Sequence, residues 1–223
     1  MKPATGPATA PEAAATEKTR FLAKLEKNRK LLTYAFGAVV AVGVIGWLYT
    51  VSNRNKAAMA SDALDAAQNA FDSGNLPGAS AGFQRVILSY GGTDAAYQAQ
   101  LGSNSVRLAS GQAQLAVDEL RKFANSNPPP FYASGAWMLM GNALENLKKY
   151  GDAAAAYLKA ADVAPEDYRK VEALLAAARS YRLAGKEKES VDVLRRIVSK
   201  FAKEIPGVPE AQVRLAEQTK GAM

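Results

Sequence analysis

The stretch Trp137–Pro165, WMLMGNALENLKKYGDAAAAYLKAADVAP, contains two apolar helical patterns separated by a short polar turn. Gly141 lies one turn before the end of the first pattern, and Ala153 and Tyr157 lie one turn apart in the second. Small residues allow paired helices to approach closely, while the large residue fills space against the next pair. The stretch therefore predicts a helix-turn-helix unit that cannot bury its apolar face alone.

The same pattern recurs along the chain at a fixed period of 37 residues. Such a period is typical of helix pairs that stack, because each pair buries its apolar face only against its neighbours. We predict an all-α solenoid of about four helix pairs, closed by a capping helix over Pro209–Gln218. The aligned columns are Leu64, Leu101, Met138 and Leu175; Ala67, Asn104, Gly141 and Ala178; Gly74, Gly111, Lys148 and Gly185; Ala79, Ala116, Ala153 and Ser190; Phe83, Leu120, Tyr157 and Leu194; and Val86, Phe123, Ala160 and Ile197.

The third copy resembles the tetratricopeptide repeat, a helix-pair motif that is usually about 34 residues long. The resemblance covers about residues 58–202, and it implies a stack whose first helices line a concave protein-binding groove. It therefore also implies core packing for the large side chains of the motif. The positions that carry it are Trp137, Met140, Gly141, Leu144, Ala153, Tyr157, Ala160 and Pro165, with Leu144 where that family usually has Tyr.

The composition excludes several classes of function. With no Cys and no His in 223 residues, the chain cannot form a disulfide, a Cys/His zinc site or a Ser-His-Asp triad. The sequence contains no phosphate loop, nucleophile elbow or Gly-rich dinucleotide turn. Carboxylate pairs such as Asp62 with Asp65 lie in polar stretches, whereas acid-base catalysis needs an apolar pocket. We predict no enzyme activity, no cofactor, no metal site and no small-molecule substrate.

The net charge of +7 is concentrated near the N-terminus. Residues 1–30 carry seven Lys or Arg and three Glu, which gives +4, and the remaining 21 basic and 18 acidic residues give +3. In the repeats the two signs alternate, as they do on ordinary solvated helices. We therefore predict no nucleic-acid partner.

An uncharged segment of 23 residues, Leu31–Asn53, follows the basic N-terminal region. At a rise of about 1.5 Å per residue, about 20 apolar residues span the hydrocarbon core, where a helix satisfies its own backbone. Tyr34, Trp47 and Tyr49 lie where aromatic rings favour the membrane interfaces. We predict a single transmembrane helix over 31–53.

Two other interpretations of this segment are disfavoured. A buried core helix of a soluble protein is shorter and contains polar positions. A cleavable signal peptide is favoured by Ala58-Met59-Ala60, which resembles a cleavage site. However, the apolar run exceeds the usual length of about 7–15 residues, and the site lies beyond Arg54 and Lys56.

The flanking charges predict the orientation of the membrane helix. Residues 1–16, rich in Ala, Pro and Thr, are expected to form a disordered cytoplasmic tail, and residues 17–30 a basic juxtamembrane segment. That segment contains six Lys or Arg residues, whereas the region just after the membrane helix contains only two, Arg54 and Lys56. The N-terminus is therefore cytoplasmic and the repeat domain, residues 54–223, extracytoplasmic. In a bacterium this means a single-pass inner-membrane protein with a periplasmic domain.

The repeat register predicts which side chains point into the groove. Asn pairs with peptide amides and Arg with carboxylates, while Met and Leu provide adaptable apolar contacts. This combination suits an extended polypeptide, although such side chains also occur simply as the wet face of a solenoid. The candidate groove residues are Ser105, Leu108, Met138, Asn142, Glu145, Asn146, Arg179 and Arg182.

The whole arrangement of tail, membrane helix and extracytoplasmic repeats resembles the YfgM-like family, ancillary subunits of the SecYEG translocon. The resemblance implies protein partners, namely translocon subunits, periplasmic chaperones or nascent exported chains. It predicts a chaperone-like interaction module that takes part in protein translocation. The alternative is a structural scaffold subunit of another envelope complex, such as a cell-division or secretion machine.

Overall fold

The computed structural model describes residues 29–219, and every regular element in that range is an α-helix. The all-α prediction is therefore confirmed for the described part of the chain. The helices are α1 (Arg29–Asp72), α2 (Leu76–Ser89), α3 (Asp94–Ala109), α4 (Ala113–Asn125), α5 (Pro130–Asn146), α6 (Tyr150–Val163), α7 (Asp167–Leu183), α8 (Glu187–Lys200) and α9 (Val208–Thr219).

The chain divides into two compact units, Met1–Asn55 and Lys56–Met223. The first unit contains the N-terminal part of α1, on which Val39, Val42 and Ile45 are exposed. The second unit contains the rest of α1 and all later helices, and it begins close to the predicted start of the repeat domain at residue 54.

The predictions for the N-terminal region have a different outcome from those for the repeats. Among the described residues, no helix is long and apolar enough to cross a lipid bilayer. The transmembrane helix predicted over 31–53 is therefore not confirmed. The predicted tail over 1–16 and the basic segment over 17–30 lie outside the described residues, except for the last two positions of that segment.

In the second unit, helices that follow one another along the chain pack together. Apolar side chains of α1 and α2 share one cluster, and from α2 to α9 each helix packs against the next. The predicted solenoid of four helix pairs is confirmed, with α1/α2, α3/α4, α5/α6 and α7/α8 as the pairs. The predicted cap lies within α9, which packs against α8 through a face containing the buried residues Val208, Ala211 and Leu215.

The aligned columns form the core of the solenoid. The small column that starts at Ala79 and the large column that starts at Phe83 are both fully buried in all four copies. Among the described residues, the buried apolar side chains form two clusters. One lies within α1, α2 and α3 from Ala60 to Val106, and the other within α4 to α9 from Ala116 to Leu215. Partly buried side chains of α3, such as Tyr97 and Leu101, pack against the second cluster.

The turn inside each helix pair has the same geometry in all four copies. Gly74, Gly111 and Gly185 have φ angles of 77°, 75° and 71°, and Lys148 has a φ of 58°. In the second copy the amide of Gly111 donates to the Leu108 carbonyl, and the next amide donates to the carbonyl five residues before it. The same two bonds occur in the other three turns. This Schellman arrangement satisfies the last helical carbonyls and requires a left-handed residue.

Candidate functional site

The predicted groove residues lie on α3, α5 and α7, the first helices of the second, third and fourth pairs. We refer to them together as the groove row. Two of its columns repeat at 37 residues and lie one helical turn apart, so their side chains project from the same side of each helix. The first column contains Ser105, Asn142 and Arg179, and the second contains Leu108, Glu145 and Arg182.

Glu145 and Arg179 form an ion pair between α5 and α7. Nη2 of Arg179 lies 3.1 Å from Oε1 and 3.0 Å from Oε2 of Glu145. The hydroxyl of Ser180, the residue that follows Arg179, donates to Oε1 of the same carboxylate at 2.5 Å. Ser180 is fully buried, and the Glu145 side chain is 20% exposed. The carboxylate of Glu145 therefore connects neighbouring repeats through a charged and a neutral donor.

Tyr157 extends this cluster from α6 to Asn142. Its hydroxyl donates to Oδ1 of Asn142 at 2.6 Å. Burial raises the pKa of the Tyr157 hydroxyl well above its ordinary value, and the negative charge of Glu145 raises it further. The phenol therefore remains protonated and keeps donating its hydrogen bond through the physiological pH range. The Tyr157–Asn142 hydrogen bond therefore lies beside the carboxylate of Glu145 and the guanidinium of Arg179.

The other members of the groove row do not join this cluster. Leu108 and Met138 are half-buried and pack against the core. Ser105 is half-buried, and its hydroxyl donates to the Leu101 carbonyl at 3.3 Å within its own helix. Asn146 and Arg182 are exposed, and within residues 29–219 neither bonds to another member of the row. The row therefore consists of a bonded cluster, apolar positions packed on the core, and free polar positions.

The repeat columns predict core packing for Tyr157 and make no prediction for Ser180, so the polar roles of both residues are visible only in the structure. Tyr157 was predicted to pack in the core, which it does, but its hydroxyl also positions Asn142. The other three copies have Phe83, Leu120 and Leu194 in that column. The presence of a hydroxyl in the third copy alone could therefore have indicated a polar role for Tyr157. Ser180 gave no such signal, because its bond to Glu145 depends on how α5 and α7 are placed.

In the described part of the chain, few side chains are arranged to bind a metal ion. Within residues 29–219, no three acidic side chains cluster as a cation site would require. Glu145, the single acidic residue of the groove row, already accepts hydrogen bonds from Arg179 and Ser180. The chemistry that the row offers is therefore hydrogen bonding, charge pairing and apolar contact.

Comparison with protein families identifies two repeats of the predicted kind. Tetratricopeptide-repeat models match residues 134–167 and residues 172–203. The first match covers most of α5, all of α6 and the loop after them, and the second covers most of α7 together with α8. The chain therefore contains tetratricopeptide repeats, as the spacing around Trp137 predicted, and such repeats indicate a protein–protein interaction module.

Solved structures support the same fold. Two structures of a Podosopora anserina kinesin light chain protein with nearly identical TPR-like repeats, one of them a glutamine-to-methionine variant, are similar to this chain. Each superposes with a TM-score of 0.55 at 15% sequence identity, over 72% of this chain and 85% of that chain. No curated protein matches the sequence significantly. The described part of the chain thus folds as a TPR-like solenoid, a fold that typically serves as an interaction scaffold.

Proposed function

We propose that the protein is a membrane-anchored interaction module that binds polypeptide segments in its groove, at or near the protein-export translocon. The observation that carries the proposal is the cluster of Asn142, Glu145 and Arg179 beside the half-buried Met138. An extended chain needs partners for its amides and carbonyls, and it gains affinity from apolar contacts. The groove row offers both kinds of contact on one helix.

Membrane anchoring is supported by the N-terminal part of α1. The 23 residues Leu31–Asn53 carry no charge, and Val39, Val42, Ile45 and Trp47 are exposed on the helix. Large exposed apolar surfaces are uncommon on soluble proteins unless they meet a membrane or a partner. Together with the positive flank, this supports a single-pass protein of the bacterial inner membrane with a cytoplasmic N-terminus and a periplasmic repeat domain.

The proposed partners follow from the resemblance to the YfgM-like translocon subunits. In this proposal the repeat domain receives emerging chains and meets translocon subunits and periplasmic chaperones. A photo-crosslinker placed at Asn142 in intact cells tests it, with Gln84, exposed on α2, as the control position. We expect translocating chains and translocon subunits to be captured from Asn142 only, and capture to fall when export is blocked. Labelling of neither from Asn142 would contradict the proposal.

A structural scaffold in another envelope complex is the second candidate. The observation in its favour is that Glu145 is already bonded to Arg179 and Ser180, which holds α5 and α7 in one arrangement. A fixed scaffold needs such rigidity more than it needs free groove donors. This candidate predicts stoichiometric co-purification with its complex in mild detergent and no dependence on continuing export.

A further inference from the structure

We propose that a cleft between the second helices of the second and third pairs is a separate docking site for an acidic segment of a partner protein. The cleft has a volume of about 340 Å³, within the usual range of ligand sites. Its floor is formed by Trp137, Met140 and Leu144 of α5. Its walls are formed by α4 and α6, where Ala155 and Ala156 leave the space open.

The cleft lies on the opposite side of α5 from the groove row. Successive residues of an α-helix are rotated by about 100°, so Met140 projects about 160° away from Asn142. Glu145 and Arg179 contribute nothing to the cleft lining. The proposal therefore does not rest on the groove function, and either site can be lost without the other.

The charges around the cleft favour an anion. Arg121 and Lys159 line it, and Asp152 is its single acid. Nζ of Lys159 lies 4.5 Å from the centre of the Trp137 ring. Within residues 29–219, neither Arg121 nor Lys159 has an ion-pair partner. Asp152 lies seven residues before Lys159, which is about 10 Å along the helix, so one end of the cleft keeps its positive charge.

The next repeat shows how a cation at the same register position is neutralised within the chain. Between α6 and α8, Nη2 of Arg196 lies 3.2 Å from Oδ1 of Asp162. The residues 37 positions earlier are Lys159 and Asn125, and both line the cleft. Asn125 thus replaces the acid that would pair with the cation. A carboxylate supplied by a partner would restore at this interface the pair that the neighbouring interface contains.

The lining also defines what must accompany the carboxylate. Trp137 and Met140 are mostly buried but form an apolar floor, and the Asn125 amide can donate or accept a hydrogen bond. A volume of about 340 Å³ equals roughly ten water molecules, so the cleft takes a few side chains rather than a folded surface. The best occupant is a short protein segment in which Asp or Glu is adjacent to a large apolar residue.

Intrinsic fluorescence offers a direct reporter for binding. The chain has two tryptophans, so in the full-length protein carrying Trp47→Phe only Trp137 emits. The probes are fluorescein-labelled eight-residue peptides with Leu, Phe or Met followed by Asp or Glu, each matched with its Asn or Gln counterpart. We expect the best acidic peptides to bind about tenfold more tightly than their amide counterparts, with a change in Trp137 emission. Binding should weaken as salt is added.

Variants separate this site from the groove. Lys159→Gln and Arg121→Gln should each weaken acidic-peptide binding severalfold and leave the amide peptides unaffected. Arg195→Gln, at the register position of Arg121 two repeats later, and Arg179→Gln in the groove should change nothing. Equal binding of acidic and amide peptides, or no binding, overturns the proposal. Loss with Arg179→Gln alone would place the peptide in the groove, and equal competition by acetate would indicate a site for small acids.

Discussion

The aromatic ring of Tyr157 fills the space that a side chain at Gly141 would need. A Cβ atom built on Gly141 would lie 2.6 Å from both Cδ1 and Cζ of that ring, closer than real contacts allow. The two residues come from the two helices of the third pair, α5 and α6. Their contact sets how closely this pair packs, and Tyr157 is fully buried as a result.

Gly141→Ala and Gly141→Leu should both destabilise the repeat domain. Overpacking of this kind costs about 1–3 kcal/mol, and we expect Leu to cost more than Ala because Tyr157 cannot move aside within the buried core. Thermal or urea unfolding followed by circular dichroism measures the effect. Gly151→Ala in α6 is the control, because its Cβ would meet only the Lys186 amine at 3.8 Å. An unchanged unfolding midpoint for Gly141→Leu would contradict the helix register.

Lys148 is the residue to replace in order to stabilise a turn. It adopts a φ of 58° where the other three copies have Gly, and a non-glycine residue in that region is strained by about 1 kcal/mol or more. Lys148→Gly should therefore raise the free energy of unfolding by about 0.5–1 kcal/mol. Gly111→Ala is the matched change in the opposite direction and should lower it by about 1 kcal/mol. If both changes shifted the free energy of unfolding in the same direction, the turn geometry would have to differ between the copies.

Removing the two partners of the Glu145–Arg179 pair should have unequal effects. Arg179 is 44% exposed, so Arg179→Ala should cost only about 0.2–1 kcal/mol. Glu145→Ala leaves the buried hydroxyl of Ser180 without its acceptor, which costs about 1–3 kcal/mol. Chemical denaturation of both variants compares them directly. The double change Glu145→Ala with Ser180→Ala should recover part of the loss, and no recovery would argue against this bond.

The Tyr157 hydroxyl should make stability fall in alkaline solution. Its pKa is raised in the folded protein above the ordinary value of about 10 found in the unfolded chain. Below about pH 10 the hydroxyl is protonated in both the folded and the unfolded state, and its contribution to stability is fully present. As the pH rises above about 10, the unfolded state loses its proton first, and the free energy of unfolding declines. Unfolding measured between pH 8 and about pH 11 should show this decline, and Tyr157→Phe should reduce its slope. An unchanged slope would mean that other groups cause the decline.

The helix pairs could be predicted because their cause is periodic. A period of 37 residues repeats the small column at Ala79 and the large column at Phe83, and helices that must bury such columns have few ways to stack. The turns were equally visible, since Gly recurs at Gly74, Gly111 and Gly185. Lys148 at the same position shows that the fold determines the conformation even where the residue does not favour it.

The bonds of the candidate site could not be predicted in the same way. Glu145 and Ser180 are 35 residues apart, whereas the repeat period is 37 residues. Their contact therefore depends on how far α5 and α7 are shifted along their axes when they stack. The cleft beside Trp137 could not be predicted either, because the repeat pattern indicates only core packing for that residue. The unpaired cation of the cleft arises because Asn125 occupies the register position at which the next repeat has Asp162, a difference that columns of shared residues do not contain.

The division of the buried side chains into two clusters has a consequence for cooperativity. The cluster from Ala60 to Val106 contains far fewer large side chains than the cluster in α4 to α9, and solenoid repeats are stabilised mainly by their nearest neighbours. The first helix pair can therefore open in a subglobal unfolding event while the third and fourth pairs remain folded. Amide protons of α2 will therefore exchange with solvent faster than those of α6. The N-terminal end of the solenoid, which follows Asn55, has the lowest free energy of local unfolding.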